Sequence, residues 1–344
     1  MPQLPLVVVG ASAGGIPVLK TLLSRLPRDF PAAVLIVLHV ARDFPSLLPD
    51  ILDGVGPLPV RHPLDGESMQ PGQVYVAPPD HHLIVEDDHV ALTKGPKENH
   101  ARPSINALFR SAAYLYGPSV IGVVLSGMLD DGVSGLYAIK RRGGQAVVQS
   151  PQDAEFNAMP LNALQEVEVD YVVAAQDMAP LLTALVREMP GGQNRMDERE
   201  NQRLEIEVGI ARGENALQLG VTELGAPSLL TCPECHGALV QFKEAGILRF
   251  RCHTGHGYSG SSLLSEITLE LENKAYETLR VLEESLILMK RLGELCEQRG
   301  DLVGAEAFYN KIRKVGERTA TIQALAQGTE RLSGQQVEMR ASDD

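Results

Sequence analysis

Hydrophobic positions along the first 190 residues follow two alternating rhythms. Short apolar runs, free of charge, fall at Leu4–Val9, Ala33–Leu38, Val74–Ala77, Val120–Leu125, Gln145–Gln149 and Tyr171–Val173. Between them, apolar residues recur every three or four positions over Gly15–Leu26, Phe44–Leu52, Pro103–Tyr116, Gly132–Arg142, Met159–Gln165 and Met178–Glu188. Strands without polar alternation are buried on both faces, and intervening helices supply the cover. The pattern predicts a doubly wound, mostly parallel α/β sheet with helices on both faces. One more pair, Leu83–Val85 and Val90–Thr93, is joined by Glu86-Asp87-Asp88-His89, which reads as a hairpin turn and predicts an antiparallel edge.

The rhythm changes at Pro190-Gly-Gly-Gln-Asn194. Residues 1–190 therefore form one domain, and the charged, weakly patterned stretch 191–228 reads as a linker with partial helix. A small cysteine-containing module follows at 229–260. From 261 to 332 the period is helical, with Ile267, Leu271, Ala275, Leu279, Leu282, Leu286, Met289 and Leu292 on one stripe. Gly300 breaks that helix and Asp301 can cap a second one, which predicts a helical hairpin. Its apolar stripe needs a cover, and self-association or a signalling partner would supply one. Residues 333–344 are polar and read as a flexible tail.

Charge and length narrow the function classes. The 344 residues carry 31 basic and 44 acidic side chains, a formal charge of −13. That balance speaks against a nucleic-acid surface and against anionic membranes. The apolar runs are too short to span a bilayer, and no charged signal-peptide start is visible, so a cytoplasmic protein is expected. Two of the four cysteines form a C-x-x-C pair beside histidines, which suits a metal in a reducing compartment better than disulfides.

The chemistry begins at Leu6-Val-Val-Val-Gly-Ala-Ser-Ala-Gly-Gly-Ile-Pro17. A strand runs into a glycine turn and a helix, with Ser12 at the tip. The spacing Gly10-x-Ser12-x-Gly14 fits a nucleophile elbow, and backbone N–H groups at the helix start, from Ala13 onward, can hold an oxyanion. The same turn could cradle a phosphate, but the G-x-G-x-x-G spacing and a P-loop lysine are missing. Nucleotide binding would also need an acidic residue at the end of the second strand, where His39 stands. His39 ends one apolar strand, and Asp130-Asp131 follow another. Ser, His and Asp at three strand ends satisfy the needs of an activated nucleophile. A buried structural histidine and an N-capping aspartate are the plainer readings of each residue alone. Residue chemistry does not choose between Asp130 and Asp131.

Residues 1–190 resemble the catalytic domain of the chemotaxis protein-glutamate methylesterase family, the CheB type. The matching segments are Gly10-Ala-Ser-Ala-Gly-Gly15, Val37-Leu-His-Val40, Val76-Ala-Pro-Pro-Asp-His-His82, His100-Ala-Arg-Pro-Ser-Ile-Asn-Ala-Leu-Phe109 and Leu125-Ser-Gly-Met-Leu-Asp-Asp-Gly132. The resemblance implies Ser12 as nucleophile, His39 as general base and acid, and Asp131, the acid directly before the glycine, as its orienter. It places Met128 in the loop that gives an oxyanion-hole amide. Arg102, Ser104 and His82 lie in matched motifs as pocket-lining candidates, with loop or capping roles as the alternative. The implied reaction is hydrolysis of glutamyl methyl esters on methyl-accepting chemotaxis receptors, with glutamine deamidation as a second activity and no catalytic cofactor. Ser12 lies too near the start of this chain for a preceding receiver domain. Regulation is therefore expected from the C-terminal region or another protein.

That region carries Cys232-Pro-Glu-Cys235 and, after sixteen intervening residues, Cys252-His-Thr-Gly-His256. Two knuckles separated by the strand-like Ile247–Phe250 suit tetrahedral zinc. A structural Cys3His site from Cys232, Cys235, Cys252 and His256 is expected, with His236 and His253 as competing ligands. Cys296, on the helix, reads as a core thiol. A second reading of the whole chain is an inactive esterase-like scaffold acting through the zinc-ribbon-like module and helical tail.

Overall fold

The computed structural model describes residues 4–40, 46–189, 198–244 and 246–328. Its elements, in order, are β1 (Leu6–Ala11), α1 (Gly15–Arg25), β2 (Ala33–Leu38), α2 (Leu48–Leu52), β3 (Val60–Arg61), β4 (Glu67–Ser68), β5 (Val74–Val76), β6 (His82–Glu86), β7 (His89–Thr93), α3 (Ile105–Tyr116), β8 (Val120–Val124), α4 (Val133–Arg141), β9 (Gln145–Gln149), α5 (Ala158–Glu166), β10 (Tyr171–Val173) and α6 (Ala175–Glu188). Then come α7 (Glu198–Arg212), β11 (Ala226–Thr231), β12 (Ala238–Glu244), β13 (Ile247–Cys252), β14 (Gly257–Ser259), α8 (Gly260–Gln298) and α9 (Leu302–Gly328).

Among the described residues, a seven-stranded parallel sheet has the order β10-β9-β8-β1-β2-β5-β3. Every residue of β1, β2 and β8 is buried, as uninterrupted Val/Ile/Leu strands require. One face packs Val8, Leu35, Val124 and Met159 with α3, α4 and α5. The other packs Val7, Ile36, Val123 and Leu182 with α1 and α6. The expected helix over Phe44–Leu52 is shorter. Phe44 and Pro45 lie outside the described residues, and α2 begins at Leu48, where Ser46 Oγ accepts from Leu48 N and Pro49 sits in the first turn. Pro180, inside α6, withholds the N–H that Gln176 O would accept. Arg25 Nη1 donates to that carbonyl instead, at 3.0 Å.

The β6–β7 hairpin forms as the turn residues predict, but not as an edge of the main sheet. It joins β4 in a separate antiparallel sheet. Leu83 and Val85 pack with the α3 side of the core, while Ile84 and Ala91 meet Ala107 and Ala211. With both faces covered by helices, the hairpin gains more burial as its own layer than at a solvent edge.

The linker expectation for 191–228 also changes. Residues 190–197 lie outside the described ones, as does the tail 333–344. But α7 buries Leu204, Ile206, Val208 and Ile210 and contributes to the core. Nor does 229–260 stand apart, since the chain divides into two compact units, 1–262 and 263–344. What joins these parts is charge. Arg110 of α3, Arg249 and Arg251 of β13, Glu207 of α7, and Glu98 in the loop before α3 are all at most 4% exposed. Arg110 Nη1 donates to Glu98 and Glu207 at 2.9 Å each, and Arg249 Nη2 reaches Glu98 at 2.5 Å. Arg251 Nη2 donates to Glu98 at 2.9 Å and also to Glu207. Burial by itself would push the Glu98 carboxyl up, but Arg110, Arg251 and Arg249 together hold it well below the usual carboxylate range.

The second unit contains most of α8 and α9. Asp301 Oδ1 accepts from Gly304 N at 2.9 Å and so caps α9, and Gly293 of α8 lies against Tyr309 of α9. Among the described residues, no helix is long and apolar enough to cross a membrane.

Two outcomes test the charged core. Arg251→Met leaves two buried carboxylates short of a partner, and is expected to cost about 3–5 kcal/mol of stability in a thermal or urea melt of the 1–262 unit. Because the Glu98 pKa is depressed on folding, its contribution is present above its unfolded value near 4.5 and is lost as pH falls through the folded value. Chemical melts between pH 7 and 3 should therefore show stability falling below about pH 4.5, with a shallower fall in Glu98→Gln.

Candidate active site

Parallel strands point their carboxyl ends the same way, so residues that follow them gather at one edge of the sheet. Ser12 follows β1, His39 follows β2 within one residue, and Asp130 and Asp131 stand in the loop after β8. β1 lies between β2 and β8, where the winding reverses. Backbone pairing continues just past the strands: Ser12 N donates to Ser126 O at 2.9 Å, and His39 N to Ala11 O at 3.2 Å. Gly14 turns the chain from β1 into α1 at φ 71°, a left-handed conformation, and a Cβ there would stand 2.7 Å from Ser126 Oγ. Gly127 is needed for space. A Cβ on it would come within 2.1 Å of Met159 Sδ and 2.9 Å of Ser12 Cβ.

His39 bridges Ser12 and Asp131. Its Nδ1 lies 3.3 Å from Ser12 Oγ and its Nε2 2.9 Å from Asp131 Oδ2. A carboxylate only accepts, so Nε2 carries the ring proton and Nδ1 turns its lone pair toward the serine hydroxyl. The His39 side chain is 24% exposed and that of Asp131 3%, so the line runs from a half-buried serine through a partly exposed imidazole to a buried carboxylate.

The carboxylate sits at the N-terminus of α3. Asp131 Oδ2 accepts from Ile105 N at 2.8 Å, and Oδ1 accepts from Asn106 N at 3.4 Å. Ser104 Oγ donates to Oδ1 at 3.1 Å, and Asn99 Nδ2 approaches it at 3.5 Å. These free backbone N–H groups and the positive end of the helix dipole suit an anion. His82 holds this corner from behind: its Nδ1 accepts from Ser104 N at 3.2 Å and its Nε2 donates to Pro96 O at 3.0 Å. Burial lowers the His82 pKa, in keeping with a neutral ring that donates once and accepts once. Asn106 Oδ1 accepts from Gly132 N and Gly135 N and fixes the loop that carries Asp131.

Asp130 goes elsewhere. Its two oxygens accept from Ser259 Oγ and Ser261 Oγ at 2.8 Å each, and burial raises its pKa. Adjacent residues in this turn thus serve opposite sides. Arg102 is also not drawn into the pocket. Its Nε and Nη2 donate to Asp80 Oδ1 at 3.1 and 2.7 Å, and Nη1 to Gly95 O at 3.0 Å, so the guanidinium ties two loops together. Of the pocket and loop roles open to Arg102, these contacts describe a loop one. Met128 is 57% exposed beside Gly127, and Ala13 offers its carbonyl to Ser126 Oγ at 2.8 Å.

A second cluster lies in the antiparallel sheet β11-β12-β13-β14. One ligand atom each from Cys232, Cys235, Cys252 and His256 falls within a 4.8 Å group. Cys235 Sγ is 3.6 Å from Cys252 Sγ, and His256 Nδ1 is 3.7 Å from Cys232 Sγ and 3.6 Å from Cys252 Sγ. These separations match the edges of a tetrahedron with metal–ligand bonds of about 2.0–2.3 Å, and are far too long for a disulfide of about 2.05 Å. The cluster could hold a metal. His236 and His253 stand outside it. Glu234 Oε2, 3.6 Å from His256 Nε2, orients the ring.

Sequence reasoning missed Asn99, Glu98, and Ser259, Ser261 and Ser262 at the junction of β14 and α8. Asn99 follows an unremarkable Lys-Glu, and nothing local marks it for the interior. The signal that was available is the Asn99-His100-Ala-Arg-Pro-Ser104 segment itself, rich in polar residues directly before a strongly apolar helix.

Comparison with known proteins adds the following. A family model described as CheB methylesterase matches residues 7–182. A Methanosarcina mazei protein named protein-glutamate methylesterase/protein-glutamine glutaminase 2 is 37% identical over 187 residues, covering 52% of this chain and 51% of that one. A Leptospira interrogans protein, given the same two activities provisionally in its name, is 38% identical over 194 residues, 56% of this chain and 97% of that protein. The crystal structure of the Thermotoga maritima CheB methylesterase catalytic domain superposes with a TM-score of 0.52 at 34% identity, covering 54% of this chain and all of that one. The chain thus spans about half the length of the Methanosarcina relative and nearly all of the Leptospira one.

Proposed function

Since the chain belongs to the CheB methylesterase family, we propose that it is a protein-glutamate methylesterase that removes methyl groups from glutamates of methyl-accepting chemotaxis receptors in the cytoplasm. The observation that carries this reading is the Ser12–His39–Asp131 line, with a serine hydroxyl facing an imidazole lone pair. Ser12 Oγ attacks the ester carbonyl while His39 Nδ1 takes its proton. The N–H groups of Ala13 and Met128 receive the developing oxyanion. His39 returns the proton to the departing methanol, and then activates the water that releases glutamate from the acyl-serine. Asp131 holds the ring and stabilises the imidazolium. Glutamine is open to the same sequence with ammonia as leaving group, so deamidation is a second activity of the site. No cofactor enters any step.

Cys232, Cys235, Cys252 and His256 are assigned a structural zinc ion. Three soft thiolates and one imidazole supply four ligands, which fits a tetrahedral zinc ion and leaves no open position for catalysis. The catalytic domain, expected over 1–190, is extended by α7 and the zinc-bearing sheet within one compact unit. Exposed Leu271, Val281, Leu288 and Leu302 on α8 and α9 support self-association or partner binding through these helices.

Methanol release from methylated receptor cytoplasmic fragments tests the enzyme. Wild type should release methanol and Ser12→Ala should fall by about 10³-fold or more, as removal of a nucleophile does. Persistent release in Ser12→Ala would overturn the assignment. Elemental analysis of protein purified without chelator should find close to one zinc per chain, and Cys252→Ser should lose it.

A further inference from the structure

The sheet that carries the Cys3His cluster also reaches the acid of the catalytic line. β14 begins one residue after His256 and lies along residues 97–99. Gly257 N donates to Lys97 O at 3.1 Å, and Asn99 N donates to Gly257 O at 2.8 Å. The Asn99 side chain is 9% exposed and sits between two groups. On one side its Oδ1 accepts from Ser259 N and Ser262 Oγ, both at 2.9 Å. On the other side its Nδ2 faces Asp131 Oδ1 at 3.5 Å.

The direction of this amide is forced. A backbone N–H can only donate, so Ser259 N fixes which end of the Asn99 amide is oxygen. The remaining end, an N–H donor, must then face Asp131. Turned the other way, the amide would present an oxygen to a carboxylate and an NH2 group to the Ser259 N–H. Ser259 and Ser261 hold Asp130, the neighbour of Asp131, from the same corner. The corner is itself braced by Arg251, whose Nη1 donates to Gly255 O at 2.7 Å. Ser259 and Ser262 are 1% and 2% exposed, so water does not compete for these contacts.

We propose that Asn99 is a positioning residue for the catalytic acid, and that Ser259 and Ser262, three and six residues beyond the metal-ligating His256, set its orientation, so that the zinc-bearing sheet is a working part of the esterase site. Asn99 touches neither substrate nor reacting atoms. It acts through Asp131, which acts through His39. Cys252 and His256, held by a zinc ion, would fix the start of β14. The inference rests on the esterase reading, and its test separates the two.

The test uses the full chain and methanol release from methylated receptor fragments, with Ser12→Ala as reference. Asn99→Ala is expected to lower kcat about tenfold or more, the loss usual for a removed outer hydrogen bond to a ligand or directing group, with KM within twofold. Ser262→Ala keeps Asn99 and one of its two orienting contacts, and should lower kcat severalfold in protein that still unfolds in a cooperative melt above the assay temperature. Nuclear magnetic resonance supplies a readout that a merely structural role would not move. The downfield proton of His39 Nε2–H against Asp131 should shift upfield in both variants. Removing zinc with a chelator should lower kcat and move the same resonance, while residues of the main sheet keep their spectrum. Wild-type kcat and an unmoved resonance in both variants, with Ser12→Ala inactive, would overturn this proposal alone. Turnover by Ser12→Ala would overturn the esterase reading beneath it.

Discussion

Five charges withdrawn from water hold the first unit together. Glu98, Glu207, Arg110, Arg249 and Arg251 come from four separate stretches of chain, and none retains appreciable contact with solvent. Each alone would be costly to bury, so each demands the others in place. The consequence is architectural. α7 and β13 cannot separate from α3 without stranding charge, and sequence parts with different compositions become one body. Glu98 has a further reach, because Asn106 Nδ2 donates to it at 3.1 Å while the Asn106 backbone N–H serves Asp131. The ionic core and the catalytic acid thus share a residue.

The chemistry at the sheet edge follows from a different economy. The parallel sheet delivers Ser12, His39 and Asp131 to one edge without any long-range side-chain recognition, because strand ends converge by topology. What the sheet does not supply is orientation. That comes from donors aimed at Asp131 from the start of α3, from Ser104 and from Asn99, and from His82 behind Ser104. A carboxylate with its lone pairs occupied this fully has little freedom to turn, and its remaining strong contact is the His39 Nε2–H. Preorganisation of this kind lets the imidazole hold its proton on one nitrogen while the other faces the nucleophile.

The Cys3His sheet stands between these two systems. A sheet of four short strands buries few apolar side chains of its own, Leu239, Phe242, Phe250 and Tyr258 among them. Buried arginines at one end offset that small core, and a metal held by the Cys3His cluster would do the same at the other. The arginine end of the sheet lies next to the corner where Ser259 and Ser262 meet Asn99.

Much of this was legible in the residues alone. Apolar runs broken by Gly10, Gly14 and Gly132 located strands β1 and β8 and placed Ser12 and the aspartates at their ends. The C-x-x-C and C-x-x-x-H spacings marked the metal-type cluster, because ligand geometry is set over a few residues. Asp130 and Asp131 have the same residue chemistry; the family resemblance favoured Asp131, and the packed turn sends one to Ser259 and the other to His39. Other features were beyond reach. Residues 198–212 read as a charged linker, since Glu207 looks like a solvated residue until Arg110, 97 positions away, is found against it. Arg251 and Glu98 pair across 153 positions. The sequence by itself determined the parallel sheet, the three strand ends and the four metal-type ligands, because backbone sterics, hydrophobic period and ligand spacing all act over short range. Tertiary structure alone decided where Asp130 goes, which charges go inside and that the Cys3His sheet abuts the catalytic line, because the worth of a buried charge or hydrogen bond depends on partners that only folding brings near.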